Sequence, residues 1–148
     1  MKFTAAKTYE AWSLIARAQS PLVVVGRGVR IANAMEELSA FLKQAKLPVA
    51  TTYLGKDCTC DSLGVIGIKG NKEANEKLFS SDVVLVLGAS LPVAQIGYDP
   101  KKFFDRKVII VNIETPNKLC KPTLFIQADV REFFYEFGQI LRVPQFEP

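Results

Sequence analysis

The tripeptide Gly26-Arg27-Gly28 follows a run of branched apolar residues and leads straight into a helical pattern. Glycine lets a chain turn sharply and lets a ligand approach the backbone with no Cβ in the way. A helix starting there offers unpaired N–H groups and a positive dipole end to a phosphate. The same arrangement is also an ordinary corner of an α/β protein, and the sequence leaves both readings open. Gly88-Ala89-Ser90 makes a second such corner after another apolar run. The dinucleotide fingerprint is incomplete. G-x-G-x-x-G needs glycine at position 31, which is Ile31, and Thr51 and Thr52 stand where an acid would hold a ribose.

Other chemistry is narrowly bounded. The 148 residues include no histidine, which removes Ser-His-Asp and Cys-His triads, imidazole bases and mixed His/Cys zinc sites. Lys56, Asp57 and Asp61 have no paired carboxylate or triad partner and read as loop caps and solubilising charges. Cys58 and Cys60 form C-x-C rather than C-x-x-C, with Cys120 distant, the pattern of reduced cytosolic thiols. Net charge is +4, but the basic residues are scattered, and aspartates interrupt the densest cluster, "DPKKFFDRK". A nucleic-acid surface would show a basic stripe with stacking aromatics. No apolar run approaches the roughly 18 residues of a membrane span, and charges interrupt the N-terminal apolar positions, unlike a signal peptide. A soluble, cytoplasmic protein without nucleic-acid or membrane partners is expected.

The elements that would position the glycine corners alternate. Helical spacing runs over Tyr9–Gln19 until Ser20-Pro21 ends it. Leu22–Val25 reads as a strand covered on both faces, and Ala34–Ala45 as an amphipathic helix. "LPVATT" is a second strand, followed by an irregular glycine-rich stretch and a helix over "NKEANEKLFSS" with Asn71 as its N-cap. "DVVLVLGAS", "KVIIVNIE" and "TLFIQAD" are three further strands, and Val130–Leu141 a closing helix. Its aromatic residues, Phe133, Phe134, Tyr135 and Phe137, with Phe146 nearby, exceed what one helix face can bury. The pattern predicts a single doubly wound α/β domain over residues 1–148, with a mainly parallel sheet of about five to six strands and helices on both faces. Residues 1–8 and 142–148 read as linkers or tails.

The order of these motifs resembles the central domain of thiamine-diphosphate-dependent enzymes of the acetolactate synthase type, from about Ala11 to Leu141. The resemblance rests on "SPLVVVGRGVRIANAMEELSAFLKQAKLPVATTYLGKD", on "GVIGIKGNKEANEKLFSSDVVLVLGASL", and on "KVIIVNIE" with "TLFIQADVREFF". "LGASLPVAQIGY" is similar to a branch associated with surface-polysaccharide gene sets. The resemblance implies a Rossmann-like domain without catalytic residues, which in several members carries FAD or an adenine nucleotide such as ADP. The positions it nominates are Gly26, Arg27, Gly28, Thr52, Lys69, Gly70, Gly88, Ala89 and Ser90. Two departures count against FAD: Ser90 stands where FAD-binding members usually have arginine, and Arg27 replaces a small residue.

The family's diphosphate-binding signature, G-D-G followed by paired asparagines, is absent from this chain. Thiamine diphosphate and magnesium are therefore expected only in a full-length parent, with two flanking thiamine-binding domains, or a homo-oligomer, as partners. The opening "EAWSLIARAQSPLVVVG" is also similar to the ε subunit of the acetyl-CoA decarbonylase/synthase complex. That likeness implies a free-standing binding subunit as the alternative.

Overall fold

Branched apolar residues in short runs favour strands covered on both faces, and five such runs pair side by side. In this computed structural model, which describes residues 2–59, 61–89, 100–116 and 120–141, they are β1 (Pro21–Val25), β2 (Val49–Thr51), β3 (Val83–Leu87), β4 (Lys107–Asn112) and β5 (Leu124–Gln127). The sheet order is β2-β1-β3-β4-β5 and every pairing is parallel. The described helices are α1 (Lys2–Ala16), α2 (Gly28–Ile31), α3 (Met35–Ala45), α4 (Lys72–Ser80), α5 (Pro100–Phe103) and α6 (Val130–Leu141). This is the expected doubly wound α/β sheet. None of these helices is long and apolar enough to cross a membrane.

Side chains alternate along each strand, so the sheet separates two cores. Val23, Val25, Leu85, Ile109 and Val111 face α1, α3 and α6. Leu22, Val24, Val84, Val86 and Ile110 face α4 and α5. In the first core, Phe41 of α3 meets Phe137 of α6 at 4.6 Å between ring centroids, and Trp12 of α1 meets the same ring edge-on at 5.0 Å. Phe133, Phe134 and Phe137 are all buried, whereas Tyr135 is 64% exposed. The helix therefore buries its three phenylalanines and leaves the tyrosine outside. Phe146 lies outside the described residues.

The first eight residues differ from expectation. They form the opening turns of α1 rather than a linker, apart from Met1, which is not described. The buried stripe of α1 is Thr4, Thr8, Ala11 and Ile15, a 4-3-4 spacing suited to one helix face. Two of its four positions are threonine, which conceals the stripe in a hydrophobicity reading. The helix also ends early, at Ala16 rather than Gln19. The backbone N–H groups of Gln19 and Ser20 donate to the Asp82 carboxylate, each at 2.9 Å, which draws the chain out of the helix and towards β3. Asn71 occupies the N-cap position of α4, but its side chain makes no cap bond. Its amide donates to the Leu63 carbonyl instead, at 2.8 Å.

Both edges of the sheet are engaged. Beside β2, Leu63 N–H donates to the Val49 carbonyl at 2.8 Å and Ile66 N–H to the Thr51 carbonyl at 2.9 Å. At β5, Lys7 Nζ donates to the Phe125 carbonyl at 3.0 Å.

Burial alone would raise the Asp82 carboxyl, but the N–H groups of Gln19, Ser20, Asp82 itself and Val83 outweigh it and hold the group below its ordinary value. The stability it contributes is therefore complete above the usual carboxylate range and fades as pH falls through the lowered folded value. Asp82→Ala is expected to lower stability at pH 7 by about 1 kcal/mol, or roughly 3 °C in Tm, after allowance for solvent exposure. In thermal melts across pH, the gap between variant and parent should close in acid. A gap independent of pH would show that the carboxylate does not hold these amides.

Candidate functional site

A parallel sheet gathers the carboxyl ends of its strands on one edge, and a ligand settles where the strand order reverses. Here the reversal lies between β1 and β3, beneath the two glycine corners. The loops there touch backbone to backbone. Gly26 N–H donates to the Leu87 carbonyl and Gly28 N–H to the Gly88 carbonyl, both at 2.8 Å. A Cβ on Gly26 would lie 2.5 Å from the Gly88 oxygen, and one on Gly28 would lie 2.8 Å from the Gly88 Cα. Gly88 itself has φ +68°, in the left-handed region. The loop after β2 closes on the same point. Thr52 N–H donates to the Val25 carbonyl at 3.0 Å, Thr52 Oγ1 accepts from Gly55 N–H at 3.2 Å, and a Cβ on Gly55 would lie 2.4 Å from the Val25 oxygen.

The helix after the first corner is a single turn: α2 starts at Gly28 and has Ile31 as its last residue. Asn33 then takes φ 55°, and the longer α3 starts at Met35 with Glu36 and Glu37 in its first turn. Two carboxylates beside a helix N-terminus satisfy its dipole internally.

Above the glycine contact lies an open cleft of about 260 Å³. Arg27, Gly28, Thr52, Gly88 and Ala89 line it, so five of the sequence-nominated positions come together. Gly26 is buried against Gly88 and Ala89 without lining the cleft. Lys69 and Gly70 do not line it either. They belong to the turn after residues 63–66, where Gly70 N–H bonds the Gly67 carbonyl at 3.0 Å. Asn75 clamps that turn, accepting from Gly67 N–H at 2.8 Å and donating to its carbonyl at 2.9 Å. Ser90 lies outside the described residues, as do Cys60 and the "QIGY" segment.

Sequence reasoning missed the far wall. Asn112 at the end of β4, Glu114 just beyond it, and Asp129 beyond β5 line the same cleft. The signal was available: "KVIIVNIE" and "TLFIQAD" each end in an acid, and the ends of all parallel strands share one edge. Asp129 Oδ1 also accepts from Arg131 N–H at 2.9 Å, which caps α6. Exposed Ile31, Leu54 and Ile113 form an apolar rim. The arrangement is a charge-divided cleft, with a cation on the β1 side and carboxylates on the β4 and β5 side.

Cys58 is buried beside the corner, with Sγ 3.8 Å from the Gly26 carbonyl oxygen. Burial pushes its thiol up, and the opposing influence of the Arg30 amide and charge does not cancel this. Arg30 itself forms an exposed pair with Asp57 at 3.8 Å.

An all-parallel, doubly wound sheet with a cleft at its switch point defines a Rossmann-like α/β domain. Residues 8–137 match the family model of the thiamine pyrophosphate enzyme central domain. The chain is 37% identical over 126 residues to a probable acetolactate synthase large subunit of Methanocaldococcus jannaschii, covering 82% of this chain and 20% of that one. It is 36% identical over 110 residues to the corresponding protein of Methanococcus aeolicus, covering 71% and 18%. It is 32% identical over 139 residues to a 3D-(3,5/4)-trihydroxycyclohexane-1,2-dione hydrolase of Listeria monocytogenes, covering 90% and 22%. The chain belongs to the central-domain family of thiamine pyrophosphate enzymes, and it spans about a fifth of the length of these relatives.

Two predictions follow from the glycine contact and the thiol below it. Gly88→Ala combines left-handed strain with a Cβ 2.9 Å from the Gly28 Cα and should cost about 2–4 kcal/mol in denaturant unfolding. Gly138→Ala is the control: nothing lies within 4 Å of its Cβ position in α6, so it should stabilise by roughly 0.5–1 kcal/mol. Cys58 should resist alkylation at pH 7–8 in the folded protein and react on unfolding. The neutral thiol is favoured in the folded state, so its contribution should be lost as pH rises above the ordinary thiol range. Rapid native labelling of Cys58 would contradict its burial.

Proposed function

We propose that this chain acts as the non-catalytic central domain of an acetolactate-synthase-like enzyme, and that its cleft binds the adenosine-phosphate part of a nucleotide such as ADP or FAD. The parent reaction in this reading is decarboxylation of a 2-oxo acid followed by carboligation. Membership of the thiamine pyrophosphate family implies thiamine diphosphate and a metal in full-length parents. The residues of this chain do not fit that cofactor. Its sequence has no G-D-G signature, and the described residues hold no group of three His, Cys, Asp or Glu able to bind a metal ion. The chain alone is therefore expected to be inactive towards pyruvate.

The observation that carries the nucleotide reading is the division of charge across the switch point. Arg27 on the β1 side can meet a phosphate through charge-assisted hydrogen bonds. Glu114 and Asp129 can accept hydrogen bonds from sugar hydroxyls, the role an acid plays towards a ribose in related sheets. β1 and β4 are two strand spacings apart, about 10 Å, a separation that a sugar and its phosphate can bridge between side chains. The exposed Ile31, Leu54 and Ile113 suit a planar base or a covering neighbour, whether a flanking domain or a second copy.

A thermal-shift series with ADP, FAD, NAD and inorganic phosphate tests the reading. At ten times its Kd, ADP should stabilise by about 1.4 kcal/mol, or roughly 3–4 °C. Arg27→Ala, an exposed position, should reduce that shift, and thiamine diphosphate with magnesium should give none. The absence of any shift with ADP or FAD, or an unchanged response in Arg27→Ala, would remove the nucleotide from the cleft.

A further inference from the structure

We propose that the cleft selects its ligand by phosphate count, taking a nucleoside monophosphate in preference to the diphosphate and the triphosphate. This rests on the nucleotide reading of the cleft and goes beyond it, because the cleft carries more carboxylates than cations and several of its donors are already engaged.

Among the described lining residues Arg27 is the one cation, against the carboxylates of Glu114 and Asp129. One phosphate therefore meets its counter-charge, and each further phosphate adds negative charge beside two carboxylates. Several backbone donors near the cleft are spent within the protein. The Gly28 N–H, at the start of α2, is taken by the Gly88 carbonyl at 2.8 Å. At α6, Arg131 N–H is held by the Asp129 carboxylate at 2.9 Å, and Glu132 N–H by the Asp129 carbonyl at 3.0 Å. The Asn112 side chain is also occupied: its Oδ1 accepts from Ile113 N–H at 2.9 Å and its Nδ2 faces the Ala89 carbonyl at 3.4 Å. Arg30, the next cation along the chain, is paired with Asp57.

Calorimetric titration of the chain with AMP, ADP and ATP, at low ionic strength with EDTA present, reads this directly. Affinity should fall about threefold with each added phosphate, about tenfold from AMP to ATP, and the gradient should flatten as salt screens the carboxylates. Glu114→Gln, at an exposed position, should flatten it without added salt. Asp129→Asn should do the same while keeping a capping oxygen for α6. Equal or rising affinity from AMP to ATP would overturn the selection while leaving nucleotide binding intact. So would a gradient that neither variant changes. Failure of all three nucleotides to bind would overturn both this inference and the nucleotide reading beneath it.

Discussion

The carboxyl edge of this domain depends on a contact made without side chains. The turns after β1, β2 and β3 approach so closely that Gly26, Gly28, Gly55 and Gly88 leave no room for a Cβ, and the Gly28 amide bonds the Gly88 carbonyl, the Gly26 amide that of Leu87 and the Thr52 amide that of Val25. The β1 turn is thereby pinned to β3 and the β2 turn to β1. The cleft lies where it does because this contact forms its floor. The same contact changes the chemistry of the edge. Glycines that permit a ligand's approach elsewhere permit a neighbouring loop's approach here, and the Gly28 N–H is spent within the protein rather than free to meet a phosphate. In the nucleotide reading proposed here, recognition therefore falls to the side chains around the contact, above all Arg27, Glu114 and Asp129.

Much of this was legible in the sequence. The five strands, the doubly wound order and the span of α6 follow from short branched runs alternating with helical periodicity, because covered parallel strands cannot avoid being continuously apolar. The features that were not legible share a cause: each depends on a partner or backbone turn that hydrophobic periodicity does not mark. Threonines on the buried face of α1 look polar until α6 and β5 pack over them. The break between α2 and α3 at Asn33 has no proline to announce it. Asn71 sits where a cap belongs, yet its amide is claimed by Leu63. Lys69 and Gly70 belong to a turn that Asn75 holds from α4, so their motif records a structural clamp rather than a cleft wall.

The wall formed by Asn112, Glu114 and Asp129 is a different kind of omission. Each acid was visible at the end of its own strand, but an acid after a strand is common and does not by itself mark a wall. It emerges only when the parallel pairing of β3, β4 and β5 brings three strand ends to one edge. Parallel topology converts separate loop residues into one surface, and family membership gives that surface a setting: a middle segment of larger thiamine enzymes, with its own two cores on either side of the sheet. The aromatic cluster of Trp12, Phe41 and Phe137 ties the first helix to the last within one of those cores.

The treatment of the sheet margins bears on how such a segment behaves as a separate molecule. A strand edge with free amides and carbonyls is a template for another chain, and proteins commonly blunt it with a cover or a lysine. Here residues 63–66 take the hydrogen bonds on the outer side of β2, and the Lys7 ammonium takes the Phe125 carbonyl of β5. These contacts reduce the purchase that the strand margins offer for lateral polymerisation. Lys7 lies in the early part of α1 that resembles a dispensable tail in the sequence, so trimming the N-terminus would remove a guard against fibril-like stacking along with two turns of helix.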